Sequence, residues 1–80
     1  MTVKVYGKIK GCVQCDATKR RLDKLDIPYD FVDVNEDAKA LDHILRLGYQ
    51  QVPVVETPSF HFGGYRPDLI AGLITHRKAA

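Results

Sequence analysis

Two β-forming runs separated by one stretch of helical periodicity constrain this chain more than any other feature. Val3-Lys4-Val5-Tyr6 reads as a short strand ended by Gly7, and Tyr29-Asp30-Phe31-Val32-Asp33-Val34 alternates as a half-buried strand does. Between them Val13, Ala17, Leu22 and Leu25 fall near one helical face. Ile27-Pro28 is expected to stop that helix, because a residue before proline avoids the α region. The span from 3 to 34 has the length of a right-handed βαβ crossover, which makes the two strands parallel neighbours.

The rest of the chain continues the alternation. Asn35 is the expected N-cap of a second helix, with Glu36 and Asp37 in its first turn, where the helix dipole favours acids. Ala38, Leu41, Ile44 and Leu45 supply its apolar face, and Gly48 its end. Val52-Pro53-Val54-Val55-Glu56 and Ser59-Phe60-His61-Phe62 form a hairpin about Thr57-Pro58, followed by a turn at Gly63-Gly64. Pro67 opens a last helix, with Asp68 in its first turn and Leu69, Ile70, Leu73 and Ile74 as its stripe. The order β-α-β-α-β-β-α predicts an α/β sandwich: a mixed four-stranded sheet flanked by helices, one domain over residues 1–80.

At 80 residues the chain is too short for two domains. Domains of this size are often stapled by a disulfide or a metal, so the two cysteines need an assignment. The first residues lack the apolar run of an export signal and no stretch approaches a membrane span, which makes the cytosol the expected compartment. There thiols stay reduced, and a cysteine pair is more often catalytic than structural. Twelve Lys and Arg against ten Asp and Glu leave a net charge of +2, too mild to imply nucleic acid or a membrane surface as partner. Lys19-Arg20-Arg21 reads as a solvated helix face and His76-Arg77-Lys78 as a cationic helix end.

Cys12-Val13-Gln14-Cys15 falls where the loop after the first strand enters the first helix. With Cys12 at the N-cap or first position, Cys15 lies three residues on, on the same face, within disulfide reach. The unpaired N–H groups and positive end of the helix stabilise a thiolate, the nucleophile of disulfide exchange. Lys8 and Lys10 act in the same direction and Asp16 against it. Cys12, the outer member, is the expected nucleophile and Cys15 the resolving cysteine.

Other uses of a CxxC fit less well. A zinc or iron–sulfur site needs a second ligand pair, and His43, His61 and His76 do not supply the H-x₃₋₅-H spacing, so no metal is expected. A four-residue disulfide loop removes little chain entropy, which disfavours a purely structural bridge. His61 is expected to be a surface or half-buried packing residue, since a preformed thiolate needs no general base.

Taken together, Cys12-Val13-Gln14-Cys15, Ala17-Thr18, Leu22-Asp23-Lys24, Leu47-Gly48-Tyr49-Gln50-Gln51-Val52-Pro53-Val54-Val55 and Gly64-Tyr65-Arg66-Pro67-Asp68 resemble the NrdH-redoxins, small glutaredoxin-like proteins of the thioredoxin fold. The resemblance implies that Pro53 is a cis-proline facing the cysteines and that the backbone of Val52 pairs with an extended substrate segment. It makes Val13, Gln14, Val52, Pro53, Gly63, Gly64 and Tyr65 the expected substrate-binding ring. It also implies a carrier with no bound cofactor, re-reduced by thioredoxin reductase with NADPH and passing electrons to class Ib ribonucleotide reductase; a monomer is the default for a carrier that must present one site to two partners. Two departures stand out. Lys8-Ile9-Lys10-Gly11 lacks the family's proline before the first cysteine, and Phe62-Gly63-Gly64-Tyr65 replaces Trp-Ser-Gly-Phe. Gly63-Gly64 resembles instead the Gly-Gly-x-Asp by which glutaredoxins hold the γ-glutamyl end of glutathione. A glutathione-dependent glutaredoxin is therefore the alternative, and a non-catalytic binding or metal-carrier module the second.

Overall fold

The computed structural model describes residues 3–9 and 11–79, with side chains up to residue 73. Its elements are β1 (Lys4–Gly7), α1 (Val13–Lys24), β2 (Asp30–Asp33), α2 (Ala38–Arg46), β3 (Val54–Glu56), β4 (His61–Gly63) and α3 (Pro67–Ala79). The strands form one sheet in the order β2-β1-β3-β4. β1 runs parallel to β2 with Val5 opposite Phe31, and antiparallel to β3 with Val5 opposite Val55. β3 and β4 close the hairpin, Val55 opposite Phe62. This is the mixed four-stranded α/β sandwich expected from the sequence, in the thioredoxin fold that the resemblance implies.

Alternation along the two central strands divides the interior. Val5, Val55 and Phe62 join Leu22, Ile27, Ile70 and Leu73 in the core shared with α1 and α3. Tyr6 and Val54 point the other way, against Val34, Ala40 and Ile44 of the β2–α2 region. Side chains of alternating residues on a strand leave opposite faces, so each central strand serves both cores.

Several local expectations are corrected. α1 ends at the expected place, near Leu25, but what ends it is a Schellman motif ahead of Ile27-Pro28, with Asp26 in the left-handed region at φ 58°. There Ile27 N–H donates to Leu22 O at 2.9 Å and Asp26 N–H to Asp23 O at 3.0 Å. The buried face of α1 is Cys15, Thr18 and Leu22, whereas Val13 is 80% exposed in the first turn. The N-cap of α2 is Asp37, not Asn35: its carboxylate accepts from the N–H groups of Lys39 and Ala40. Asn35 and Glu36 instead belong to a turn organised by Asp33, whose carboxylate accepts from Asn35 N–H at 2.9 Å and whose carbonyl accepts from Glu36 N–H. Starting the helix there turns Ala40 and Ile44 into the core and leaves Ala38, Leu41 and Leu45 exposed. Gly48, at φ 101°, ends α2 in a second Schellman motif, Tyr49 N–H donating to Ile44 O. Pro67 opens α3, and Ile70 and Leu73 are buried as expected; the side chains of Ile74 and of His76-Arg77-Lys78 lie outside the described residues.

α2 is tied to the sheet by a polar cluster. His43 Nε2–H donates to both oxygens of Glu56, at 3.0 and 3.1 Å, and the Tyr6 hydroxyl donates to Oε1 at 3.0 Å. Burial, aided by that hydrogen bond, pushes the Tyr6 hydroxyl up to about 12. Burial pushes the Glu56 carboxyl up as well, but the hydrogen bonds from His43 and Tyr6 outweigh it and leave the group below its ordinary 4.5. The stability contributed by ionised Glu56 is therefore complete above pH 4.5 and is lost as pH falls from there through the lower folded-state value. Glu56→Gln is expected to lower the unfolding free energy by about 1–2 kcal/mol at neutral pH. It should also flatten this part of the acid slope, read as urea midpoints across a pH series. A variant with wild-type stability and an unchanged acid slope would show that the cluster does not hold α2.

Candidate active site

The loop after β1 delivers Cys12 to the mouth of α1. Cys12 is the N-cap residue in extended backbone (φ −128°, ψ 97°), and its Sγ accepts a hydrogen bond from Cys15 N–H at 3.2 Å. A sulfur here takes the place of the side-chain oxygen that usually caps a helix, so it meets an otherwise unpaired N–H and the positive end of the dipole. The two cysteines are joined as a disulfide with a Cα separation of 5.2 Å. They differ sharply in access: Cys12 is half-exposed, while Cys15 is fully buried.

Close packing holds Cys15. A Cβ on Gly7 would lie 2.8 Å from Cys15 Sγ and 3.1 Å from the Phe31 ring, so the last residue of β1 has room only for hydrogen. One turn along, buried Thr18 donates its hydroxyl to Gln14 O at 2.8 Å, satisfying the hydroxyl inside the helix. Lys19 extends over the Phe31 ring, its ammonium 4.4 Å from the ring centroid.

Most of the expected ring assembles around the pair. The Val52–Pro53 peptide is cis. Pro53 O accepts from Gly64 N–H at 2.8 Å, and the Gln14 side-chain Oε1 accepts from Tyr65 N–H at 3.3 Å. Gln14, between the cysteines, thus spans from α1 to the turn before α3. Gly64 makes that turn at φ 80°, a conformation that favours glycine. Val13 and Tyr65 are exposed beside the pair. Two residues take other places. Pro53 is fully buried, and its carbonyl is already taken by Gly64 N–H. Gly63 belongs to β4, not to the turn, because it pairs with Val54 and lies beneath the Tyr49 ring, 2.9 Å from where its Cβ would be.

A groove of about 490 Å³ opens from Cys12 toward α2, walled by Lys8, Leu41, Leu45, Tyr49 and Val52 among others. Leu41 and Leu45 were expected in the core. α2 carries more apolar residues than one buried stripe uses, and that surplus was the signal in the sequence for a second role. Tyr49 is fixed on its outer side, its hydroxyl 2.6 Å from His61 Nδ1 and the two rings edge-to-face. His61 is exposed at the sheet edge, a packing residue as expected. Lys8 lines the groove and Asp16 pairs with Lys19 at 3.6 Å, while Lys10 lies outside the described residues. Among the described residues no three His, Cys, Asp or Glu gather as a metal site, and no helix is long and apolar enough to cross a membrane.

Known proteins share this sequence pattern and fold. The glutaredoxin family pattern matches residues 3–61. The glutaredoxin-like protein NrdH of Salmonella typhimurium is 34% identical over 70 residues, covering 88% of this chain and 85% of its own length. That of Lactococcus lactis is 31% identical over 71 residues, covering 89% and 97%. The chain belongs to the NrdH-redoxins of the glutaredoxin family. The solved structure of the NrdH-redoxin of Escherichia coli superposes with a TM-score of 0.87 at 32% identity, over 91% of this chain and 95% of that one. As an NrdH-redoxin, the chain is a thiol–disulfide oxidoreductase and a redox carrier whose reactive pair is Cys12 and Cys15.

Proposed function

We propose that this redoxin takes electrons from NADPH through thioredoxin reductase and delivers them to disulfides of other proteins, with class Ib ribonucleotide reductase as acceptor. It works as a cytoplasmic monomer without a bound cofactor. The observation that carries this reading is the pairing of a half-exposed, N–H-capped Cys12 with a fully buried Cys15. One sulfur meets the partner and the other is reserved for the second step.

In the dithiol form the Cys12 thiolate, favoured by the Cys15 N–H, attacks one sulfur of the partner disulfide. A mixed disulfide forms and the partner's other sulfur leaves as a thiolate. Cys15 then loses its proton and attacks Cys12 Sγ, forming the internal disulfide and releasing the partner's second thiolate. Two electrons have passed from the chain to the partner. Val52 borders the groove at Cys12, where its backbone is suited to receive an extended partner segment by strand addition.

Thioredoxin reductase is favoured over glutathione as the source of electrons on two grounds. The E. coli NrdH-redoxin is described as having a thioredoxin-like activity profile. In this chain the Tyr65 N–H, in the segment where glutaredoxins hold the γ-glutamyl end, is already bonded to Gln14 Oε1. NADPH consumption coupled to reduction of insulin tests the choice. Turnover is expected with thioredoxin reductase and near background with glutathione plus glutathione reductase. The reverse pattern would make the chain a glutathione-dependent glutaredoxin.

A further inference from the structure

We propose that the basic strip of α1 next to the thiol site docks an acidic segment of the disulfide-bearing partner protein, a step that rests on the carrier reading above. A shallow depression of about 230 Å³ lies between α1 and the turn before α3, lined by Ala17, Arg20, Arg21, Lys24 and Tyr65. Ala17, Arg21 and Lys24 recur at helical spacing on one face, and the small side chain of Ala17 leaves the floor open. The depression adjoins the reactive pair, because Tyr65 is bonded through its N–H to Gln14, the residue before Cys15.

The nearby acids are engaged elsewhere. Asp16 pairs with Lys19 at 3.6 Å and Asp68 with Arg66 at 3.3 Å, and Asp23 lines a separate depression with Tyr29. Arg21 is half-buried, and its Nε–H finds no acceptor among the described residues. The strip is thus a cationic surface that the described residues of the chain do not neutralise, placed to meet whatever part of the partner flanks the disulfide held at Cys12. A carboxylate-bearing segment fits it by charge, and the guanidinium forks of Arg20 and Arg21 suit bidentate carboxylates. Such complementarity raises association rates and is screened by salt.

Two synthetic peptides with the same internal disulfide, one carrying an Asp-Glu tail and one an Asn-Gln tail, test the proposal. At low salt the dithiol form is expected to reduce the acidic peptide roughly threefold to tenfold faster than the neutral one. That ratio should fall to unity at about 0.5 M NaCl and in the double variant Arg20→Gln, Lys24→Gln, both positions being exposed and safe for folding. Equal rates for the two peptides at low salt, or a preference that survives in the variant, would overturn the docking strip and leave the carrier reading standing. Reduction of neither peptide would overturn both.

Discussion

Cys15→Ser is expected to accumulate a covalent mixed disulfide with its protein substrate, while Cys12→Ser forms none and loses turnover to background. The asymmetry follows from access. Cys12 Sγ sits half-exposed at the helix mouth with an N–H directed at it, so it is the sulfur that can reach a partner and leave as a stabilised thiolate. Cys15 is fully buried behind it and can reach only Cys12. Without Cys15 the first exchange proceeds and the second cannot, so the adduct persists until an external thiol resolves it. A non-reducing gel of each variant mixed with oxidised partner reads this directly. Adduct formation by Cys12→Ser, with none by Cys15→Ser, would reverse the two roles.

The second large effect is expected at a residue with no side chain at all. Gly7→Ala puts a methyl group 2.8 Å from Cys15 Sγ and 3.1 Å from the Phe31 ring, tighter than an ordinary packing contact. Neither neighbour can yield cheaply: Cys15 is fixed in α1 and Phe31 is packed between the core and Lys19. Overpacking of this kind costs about 1–3 kcal/mol, seen as a lower urea midpoint at unchanged slope. The displaced sulfur should also slow resolution, so the mixed disulfide becomes detectable during turnover in a protein that still has both cysteines. Unchanged stability with unchanged turnover would mean that β1 gives way at no cost and that Gly7 does not set the position of Cys15.

How far the fold could be read in advance follows from which residues answer to local rules. The strands about Val5 and Val55 carry strong β-forming patterns, and Pro67 and Gly48 mark a helix start and end by their own backbone preferences, so the element order was legible. The cysteine spacing and its place before a helical run likewise gave the reactive pair. What misled were residues whose role depends on tertiary partners. Asn35 has the right chemistry for an N-cap, but Asp33 closes a turn over it and hands the cap to Asp37. Val13 has a core residue's side chain, yet burying Cys15 turns it outward. Leu41 and Leu45 look like core and instead wall the groove at Cys12. Gln14 gives no local hint of its bond to Tyr65, 51 residues away. Each of these required the sheet to be assembled first.

The most direct test of the account is a single-turnover transfer without any recycling enzyme. The chain is reduced, freed of reductant and mixed with excess insulin; the insulin thiols released are then counted and the mass of the chain is measured. One insulin disulfide opened per chain is expected, with a chain lighter by two hydrogens and Cys12 and Cys15 joined. Insulin left intact beside a chain that still carries both thiols would contradict it.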